Sequence, residues 1–311
     1  MPVVEVEGRQ LSLSNLGKVL YPAAGFTKAH VIDYYTRVAP VLLPHIAGRP
    51  MTLKRYPDGV AGEFFYEKNC PSHRPDWVRT AGVPTSGAGR WGRPDIGPGI
   101  IDFCLIDDLA TLVWVANLAS LELHPYLHHA DDVGQPTSVV FDLDPCPPAG
   151  VLECADVALR LRDLFERIGL RCVAKTSGSK GMQVYVPLNS PTTYGATSAF
   201  AQAVAQTLER AVPALVVSKQ SKDLRKGKVL VDWSQNVESK TTVGVYSLRA
   251  RERPTVSTPV AWEEVERAHA GRDVDLLTFD AAAVLDRVER DGDLFADLTT
   301  TEQALPTLTP S

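Results

Sequence analysis

Apolar side chains recur at helical spacing through Val31, Ile32, Tyr35, Val38 and Leu42. That period puts them on one face of a helix from about Lys28 to His45, with Thr27 as its cap. The pattern then shortens, and strands are expected near Met51 to Tyr56 and Glu63 to Lys68, around the turn Pro57-Asp58-Gly59. The stretch from Cys70 to Gly99 is rich in Pro, Gly, Arg and Trp without a sustained period, so a long surface loop is expected there. Asp107 and Asp108 precede an apolar run, Leu109 to Leu123, expected to be one buried helix with His124 at its end. Ser138-Val-Val-Phe141 has the character of a buried strand and delivers Asp142-Leu143-Asp144-Pro145. Further helices are expected near Glu153 to Ile168, Ala196 to Val212 and Ala281 to Arg290, and further strands near Cys172 to Lys175, Gln183 to Pro187 and Val229 to Trp233.

This mixture predicts an α/β (α+β) fold, with helices flanking a mixed sheet that carries the acids. No repeat of fixed period is present. A chain of 311 residues with 44% hydrophobic residues can bury its own core. One catalytic unit is expected over 1–311, an N-terminal αβ portion of about 1–130 being packed on a catalytic core of about 131–295.

Charge and cysteine content narrow the setting. No run of 18 apolar residues occurs and a charged segment, Glu5 to Arg9, follows the start, so a cytoplasmic protein with no membrane partner is expected. The five cysteines form an odd set with no C-x-x-C pair, which predicts buried reduced thiols rather than disulfides or structural zinc. A net charge of -5 does not advertise nucleic-acid binding, yet charge is segregated: Lys219 to Lys228 is strongly basic and Glu263 to Asp297 is rich in acids.

On a strand, Asp142 and Asp144 point to the same face while Leu143 points to the other. Two adjacent acids repel and call for a cation, and a pair of magnesium or manganese ions meets that need; an isolated D-x-D also fits a solvated strand end. Asp232 stands at the end of a second apolar strand, where it either joins the pair or opens a turn. Thr176-Ser-Gly-Ser-Lys180-Gly181 offers hydroxyls, backbone N–H groups and a lysine, suited to a triphosphate or to a simple glycine turn. It is not a Walker A loop. Phe64 and Phe65 beside Lys54, Arg55 and Lys68 suit base stacking with phosphate neutralisation, or core packing of one ring. His124 alone is more often structural.

Taken in order, Ser14-Asn-Leu-Gly-Lys18-Val-Leu-Tyr-Pro22, Gly48-Arg-Pro50, Lys54-Arg55, Phe64-Phe-Tyr-Glu-Lys68, Leu121-Glu-Leu-His124, Phe141-Asp-Leu-Asp-Pro145, Ser177-Gly-Ser-Lys-Gly181, Val231-Asp-Trp-Ser-Gln-Asn236 and Tyr246-Ser-Leu-Arg249 resemble the archaeo-eukaryotic primase superfamily. The closer resemblance is to the polymerase domain of bacterial DNA ligase D and its stand-alone relatives, from Leu13 to about Asp293. It implies that Asp142, Asp144 and Asp232 bind two metals, manganese often being preferred. Lys54, His124, Ser177, Lys180, Gln235 and Arg249 would surround an incoming NTP or dNTP, with ribonucleotides preferred. Asn15, Lys18 and Lys28 would grip a 5'-phosphate, Phe64 and Phe65 would stack on template bases, and Arg225 would approach the DNA or the active site. Gln183 departs from the pattern, because many relatives carry a phosphate-contacting histidine there; glutamine keeps a neutral hydrogen bond without the charge.

The resemblance implies a nucleotidyltransferase that fills short gaps or extends ends in DNA repair in the bacterial cytosol, close to the nucleoid. DNA with gaps, breaks or overhangs would be its partner, together with a DNA ligase and the Ku end-binding protein. No ligase nucleophile motif is present, since Tyr56-Pro-Asp-Gly59 is not K-x-D-G, so ligation is expected from elsewhere. A metal-dependent nuclease and a non-catalytic end-binding protein that recruits a ligase are the alternatives.

Overall fold

A computed structural model describes residues 2–84 and 99–306. Chain contacts divide it into two units, one formed by Met1–Val133, Thr241–Val256 and Asp280–Gly292, the other by Gly134–Lys240, Ser257–Phe279 and Asp293–Ser311.

In the first unit, the helix Lys28–Ile46 begins at Thr27, whose hydroxyl accepts from the His30 backbone while the His30 ring accepts from the Thr27 N–H at 3.0 Å. Its apolar face is buried, and two fully buried tyrosines on it spend their polar ends on backbone. Tyr34 donates to the Tyr246 carbonyl at 2.8 Å and Tyr35 to that of Leu121 at 2.7 Å. Strand Pro50–Arg55 is the centre of an antiparallel sheet, pairing with Phe65–Glu67, Ile100–Leu105 and Ser120–Pro125. Helices Leu109–Asn117 and Ala281–Asp291 pack with Lys28–Ile46.

Three expectations are corrected here. The helix expected over Leu109 to Leu123 stops at Asn117; Ala119 takes a left-handed φ of 58°, and Ser120–Pro125 is a strand. Alternation decides it: Leu121 and Leu123 fill one face and Glu122 and His124 the other, a period of two that a helix cannot use. The loop expected over Cys70 to Gly99 contains the strand Thr80–Pro84, paired with Ile100–Leu105; its part over 85–98 lies outside the described residues. Finally, Cys70 and Cys104 form a disulfide, although Cys146, Cys154 and Cys172 keep free thiols. The fold brings the pair together by joining the Cys70 N–H to the Asp102 carbonyl beside Cys104, at 2.6 Å, which no local cysteine spacing could announce.

This bridge spans 34 residues, so its reduction is expected to cost about 3 to 4 kcal/mol through the entropy of the unfolded chain. Thermal melts of the parent with and without dithiothreitol, and of Cys70→Ser, should show a drop of several degrees. Equal midpoints in all three would exclude this contribution.

The second unit is built on a six-stranded mixed sheet in the order Val216–Val217, Val229–Asp232, Ser138–Pro145, Met182–Pro187, Val173–Thr176 and Pro259–Val260. Neighbours are antiparallel except the first two, which are parallel. Along Ser138–Pro145 the side chains alternate. Phe141 meets Phe165 of helix Val151–Arg167, which in turn meets Phe200 of helix Tyr194–Ala211, so this face of the sheet is covered by helices. Asp142 and Asp144 therefore occupy the opposite face. A further helix, Trp262–Gly271, escaped the sequence reading because only Val265 and Ala268 are buried in its acid-rich stretch. Among the described residues, no helix is long and apolar enough to cross a membrane.

Candidate active site

Strand register lines up one row of side chains across four neighbouring strands of the second unit. Asp232 is opposite Asp142, Asp142 is opposite Gln183, and Gln183 is opposite Lys175. Asp144 projects from the same face as Asp142, two residues on. Gln183 donates from Nε2 to Asp142 Oδ1 at 3.1 Å and accepts from the Tyr185 hydroxyl at 3.2 Å. Lys175, which sequence reading did not single out, is fully buried and donates to Ser257 at 2.5 Å. Its β-strand position within a run of apolar and hydroxylated residues was the available signal.

Burial, then the charge of Asp144 and more weakly that of Asp232, pushes the Asp142 carboxyl up to about 7, against the Gln183 hydrogen bond and the charge of Lys175. Among the described residues, no three His, Cys, Asp or Glu side chains are gathered tightly enough to hold a metal ion as they stand. The donor set nevertheless fits hard divalent cations: three carboxylates on adjacent strands, one of them pushed up to about 7 by burial first and by the neighbouring carboxylates second.

Asp232 is held by its own turn. Oδ1 accepts from the Ser234 backbone at 3.0 Å and hydroxyl at 2.6 Å, and Oδ2 accepts from Gln235 Nε2 at 2.8 Å. Buried Asn236 bonds both the N–H and the carbonyl of Val140, at 2.9 and 2.8 Å. The Ser177 hydroxyl accepts from the backbone of Ser179 and Gly181, each at 3.2 Å, and so closes the loop on which Lys180 is exposed. Gly181 is required there, since a Cβ would run into the Leu143 carbonyl. Arg225 turns its guanidinium to Gln220. Its basic run is tied by backbone bonds from Gly227 and to Lys228 to Cys146, just beyond the D-x-D strand.

In the first unit, Lys54, His124 and Arg249 converge on one residue that sequence reading did not select. Glu122 is buried, with His124 Nε2 at 2.9 Å, Arg249 Nε at 3.4 Å, Lys54 Nζ at 3.5 Å, and the Ala250 N–H donating to it at 3.1 Å. Burial works against its charge, but the His124 hydrogen bond and the charges of Arg249 and Lys54 hold the carboxyl well below the ordinary range. His124 is lowered by its burial in spite of Glu122, so the pair is a carboxylate accepting from a neutral imidazole. Lys54 also lies 4.3 Å from the Phe64 ring centre, within a ring set completed by Tyr56 and Tyr66. Phe64 and Phe65 are both about half exposed, but they differ: Phe64 stacks on Tyr56, whereas Phe65 lies under Arg55.

Asn15, Lys18 and Lys28 come together around a second feature of this unit, a cavity of about 280 Å³ also lined by Ser14, Arg55 and Asn117. Lys28 donates to Ser14 at 3.1 Å and Lys18 pairs with Asp58 at 2.7 Å. Burial, then the charges of Lys18 and Arg55, pushes the Lys28 ammonium down to about 8. Lys28 is thus cationic below that pH and neutral above it, while a terminal phosphate is a dianion above about pH 6. If this cavity takes a 5'-phosphate, preference for a 5'-phosphorylated over a 5'-hydroxyl gapped duplex should hold between about pH 6.5 and 7.5 and fall several-fold by pH 9. Titrations of both duplexes at pH 7 and 9 measure it; an unchanged ratio would remove Lys28 from phosphate recognition.

An antiparallel-rich mixed sheet that carries three acids on the face opposite its helices, beside a hydroxyl-bearing loop, has the makings of a nucleotidyl-transferring enzyme. Comparison with known proteins agrees. The LigD primase-polymerase domain profile matches residues 27–295. Multifunctional non-homologous end joining protein LigD of Mycolicibacterium smegmatis is 43% identical over 291 residues, covering 93% of this chain and 36% of that protein. Bifunctional non-homologous end joining protein LigD of Bacillus subtilis is 31% identical over 289 residues, 93% of this chain and 44% of that protein. This chain thus spans less than half the length of these relatives. The solved polymerase domain from Mycobacterium tuberculosis ligase D, in complex with DNA, superposes with a TM-score of 0.83 at 41% identity, over 94% of this chain and 99% of that one. The chain belongs to the LigD primase-polymerase domain family, and so to the nucleotidyltransferases.

Proposed function

We propose that this chain adds nucleotides, ribonucleotides by preference, to primer ends at short gaps and broken ends of DNA during bacterial non-homologous end joining. The register-aligned pair Asp142 and Asp232, with Asp144 beside them on one sheet face, carries this reading. These three acids hold two divalent ions, manganese or magnesium, which when bound supply Lewis-acid stabilisation of the reacting phosphate and activation of the primer hydroxyl. Gln183 fixes the Asp142 carboxylate, and Ser234 and Gln235 fix that of Asp232. Ser177, Lys180 and Gln235 are nucleotide contacts carried over by motif, as are Lys54, His124 and Arg249, which Glu122 holds together. Asn15, Lys18 and Lys28 take the 5'-phosphate, Phe64 and Phe65 meet template bases, and Arg225 contributes positive charge toward DNA. The whole chain acts as one catalytic domain in the cytosol, near the nucleoid, alongside a DNA ligase and a Ku-type end-binding protein.

Incubating the protein with a 5'-phosphorylated gapped duplex, Mn2+ and labelled nucleotides tests the reading. Extension of the primer, faster with NTPs than with dNTPs, is the expected result. Shortening would point to a nuclease, and retention of the duplex without chemistry to an end-binding protein.

A further inference from the structure

Arg55 belongs to two places at once. Its side chain lines the cavity of Asn15, Lys18 and Lys28, and its charge is felt there by the Lys28 ammonium. On the sheet it stands in register with Phe65, and its guanidinium lies 5.1 Å from the centre of that ring. Nε donates to the Leu118 carbonyl at 3.0 Å and a terminal nitrogen donates to Glu67 at 2.9 Å. Glu67 is two residues beyond Phe65 on the same short strand and so on the same face. One planar cation is thus clamped between a cavity wall, a carboxylate and an aromatic ring that is itself 43% exposed.

We propose that Arg55 is a positioning residue that couples occupancy of the phosphate cavity to base stacking on Phe65. The proposal rests on the reading of this cavity as a 5'-phosphate site. A phosphate dianion in the cavity competes with Glu67 for the guanidinium N–H donors, and the plane that lies over Phe65 is set by the balance between them. Only arginine can do this. A lysine at the same position supplies equal charge to the cavity, but neither a plane to lay on the ring nor a fork to share between two anions.

The test uses the full chain and a gapped duplex with 2-aminopurine in the template strand at the downstream edge of the gap, carrying either a 5'-phosphate or a 5'-hydroxyl. In the parent, the phosphate should tighten binding and also deepen the change in 2-aminopurine fluorescence at saturation by about twofold; Phe65→Leu should abolish the fluorescence change with either end. Arg55→Lys should keep most of the phosphate preference in binding while its saturating fluorescence becomes the same for both ends. Glu67→Gln, which leaves the cavity lining intact, should likewise lose phosphate dependence of the fluorescence and serves if Arg55→Lys fails to fold. Phosphate-dependent fluorescence surviving in either folded variant would overturn the coupling. Loss of the binding preference together with the fluorescence difference in Arg55→Lys would also overturn it, making Arg55 a plain phosphate ligand. Absence of any phosphate preference in the parent would instead bring down the underlying reading of the cavity.

Discussion

Asp142→Ala and Asp232→Ala are each expected to lower nucleotide addition by at least about 10³-fold while changing retention of a gapped duplex by less than about threefold. The two carboxylates face each other in register on adjacent strands, so neither can be replaced by a neighbour without shifting a strand. On the proposed reading, duplex retention depends on the cationic cavity and aromatic strand of the first unit, which the substitutions do not touch. Single-turnover extension and equilibrium binding on the same duplex separate the two effects, and extension within tenfold of the parent would exclude these acids from the reaction. A second readout follows from the crowding of Asp142. Its carboxyl is pushed up to about 7, above its unfolded value, so in a chelator its burial burdens the folded state fully above pH 7 and progressively less as pH falls toward 4. Asp142→Asn should thus raise the melting temperature at pH 8 by a few degrees and have little effect at pH 4.5.

Glu122→Ala should be the most damaging substitution outside the acid row. Removing it takes the buried carboxylate away from Lys54 and Arg249, a loss of about 3 kcal/mol in stability where one partner of a buried ion pair is deleted. It also deprives His124 Nε2 of its acceptor and frees all three side chains to move. A fall in kcat/KM for NTP of about 10²-fold is expected, with a rise in KM as the larger part if the residue organises nucleotide contacts as proposed. Glu122→Gln keeps the shape and the acceptor and should recover about tenfold of that loss. Steady-state kinetics of both variants decide the matter; a Glu122→Ala enzyme with the parent's KM would make the cluster structural only.

Why some of this was legible in the sequence and some was not follows from the range of each interaction. Thr27 and the apolar spacing beyond it act within one turn, so the helix Lys28–Ile46 falls within a residue of expectation. Ser138–Pro145 and Val229–Asp232 hold the short apolar runs 139–141 and 229–231, which are readily buried inside a sheet. That places three aspartates on strands, though not in register. Ser120–Pro125 failed because the apolar content of Leu109–Asn117 runs straight into it, and the alternation at Glu122 and His124 is only two periods long. Glu122 was passed over for the same reason: its partners Lys54 and Arg249 lie 68 and 127 positions away along the chain, and only the fold brings them to it. The Cys70–Cys104 bridge is nonlocal in the same sense, and the residue roles proposed for the site come from the resemblance to the primase superfamily, not from spacing.

Asn236 gives the acid row a property that its individual contacts do not. By accepting from the N–H and donating to the carbonyl of Val140, its side-chain amide imitates the next peptide of a strand that has already ended at Asp232. The ladder is thereby prolonged by one false rung. Because side chains alternate, a slip of one residue between Val229–Asp232 and Ser138–Pro145 would swing Asp232 to the helix-covered face and leave the Asp142 side with two acids instead of three. A side chain that fits only one alignment penalises that slip during folding as well as afterwards. The geometry of the acid row is in this way written into the pairing of the sheet, and errors of assembly are rejected by a buried side chain outside that row.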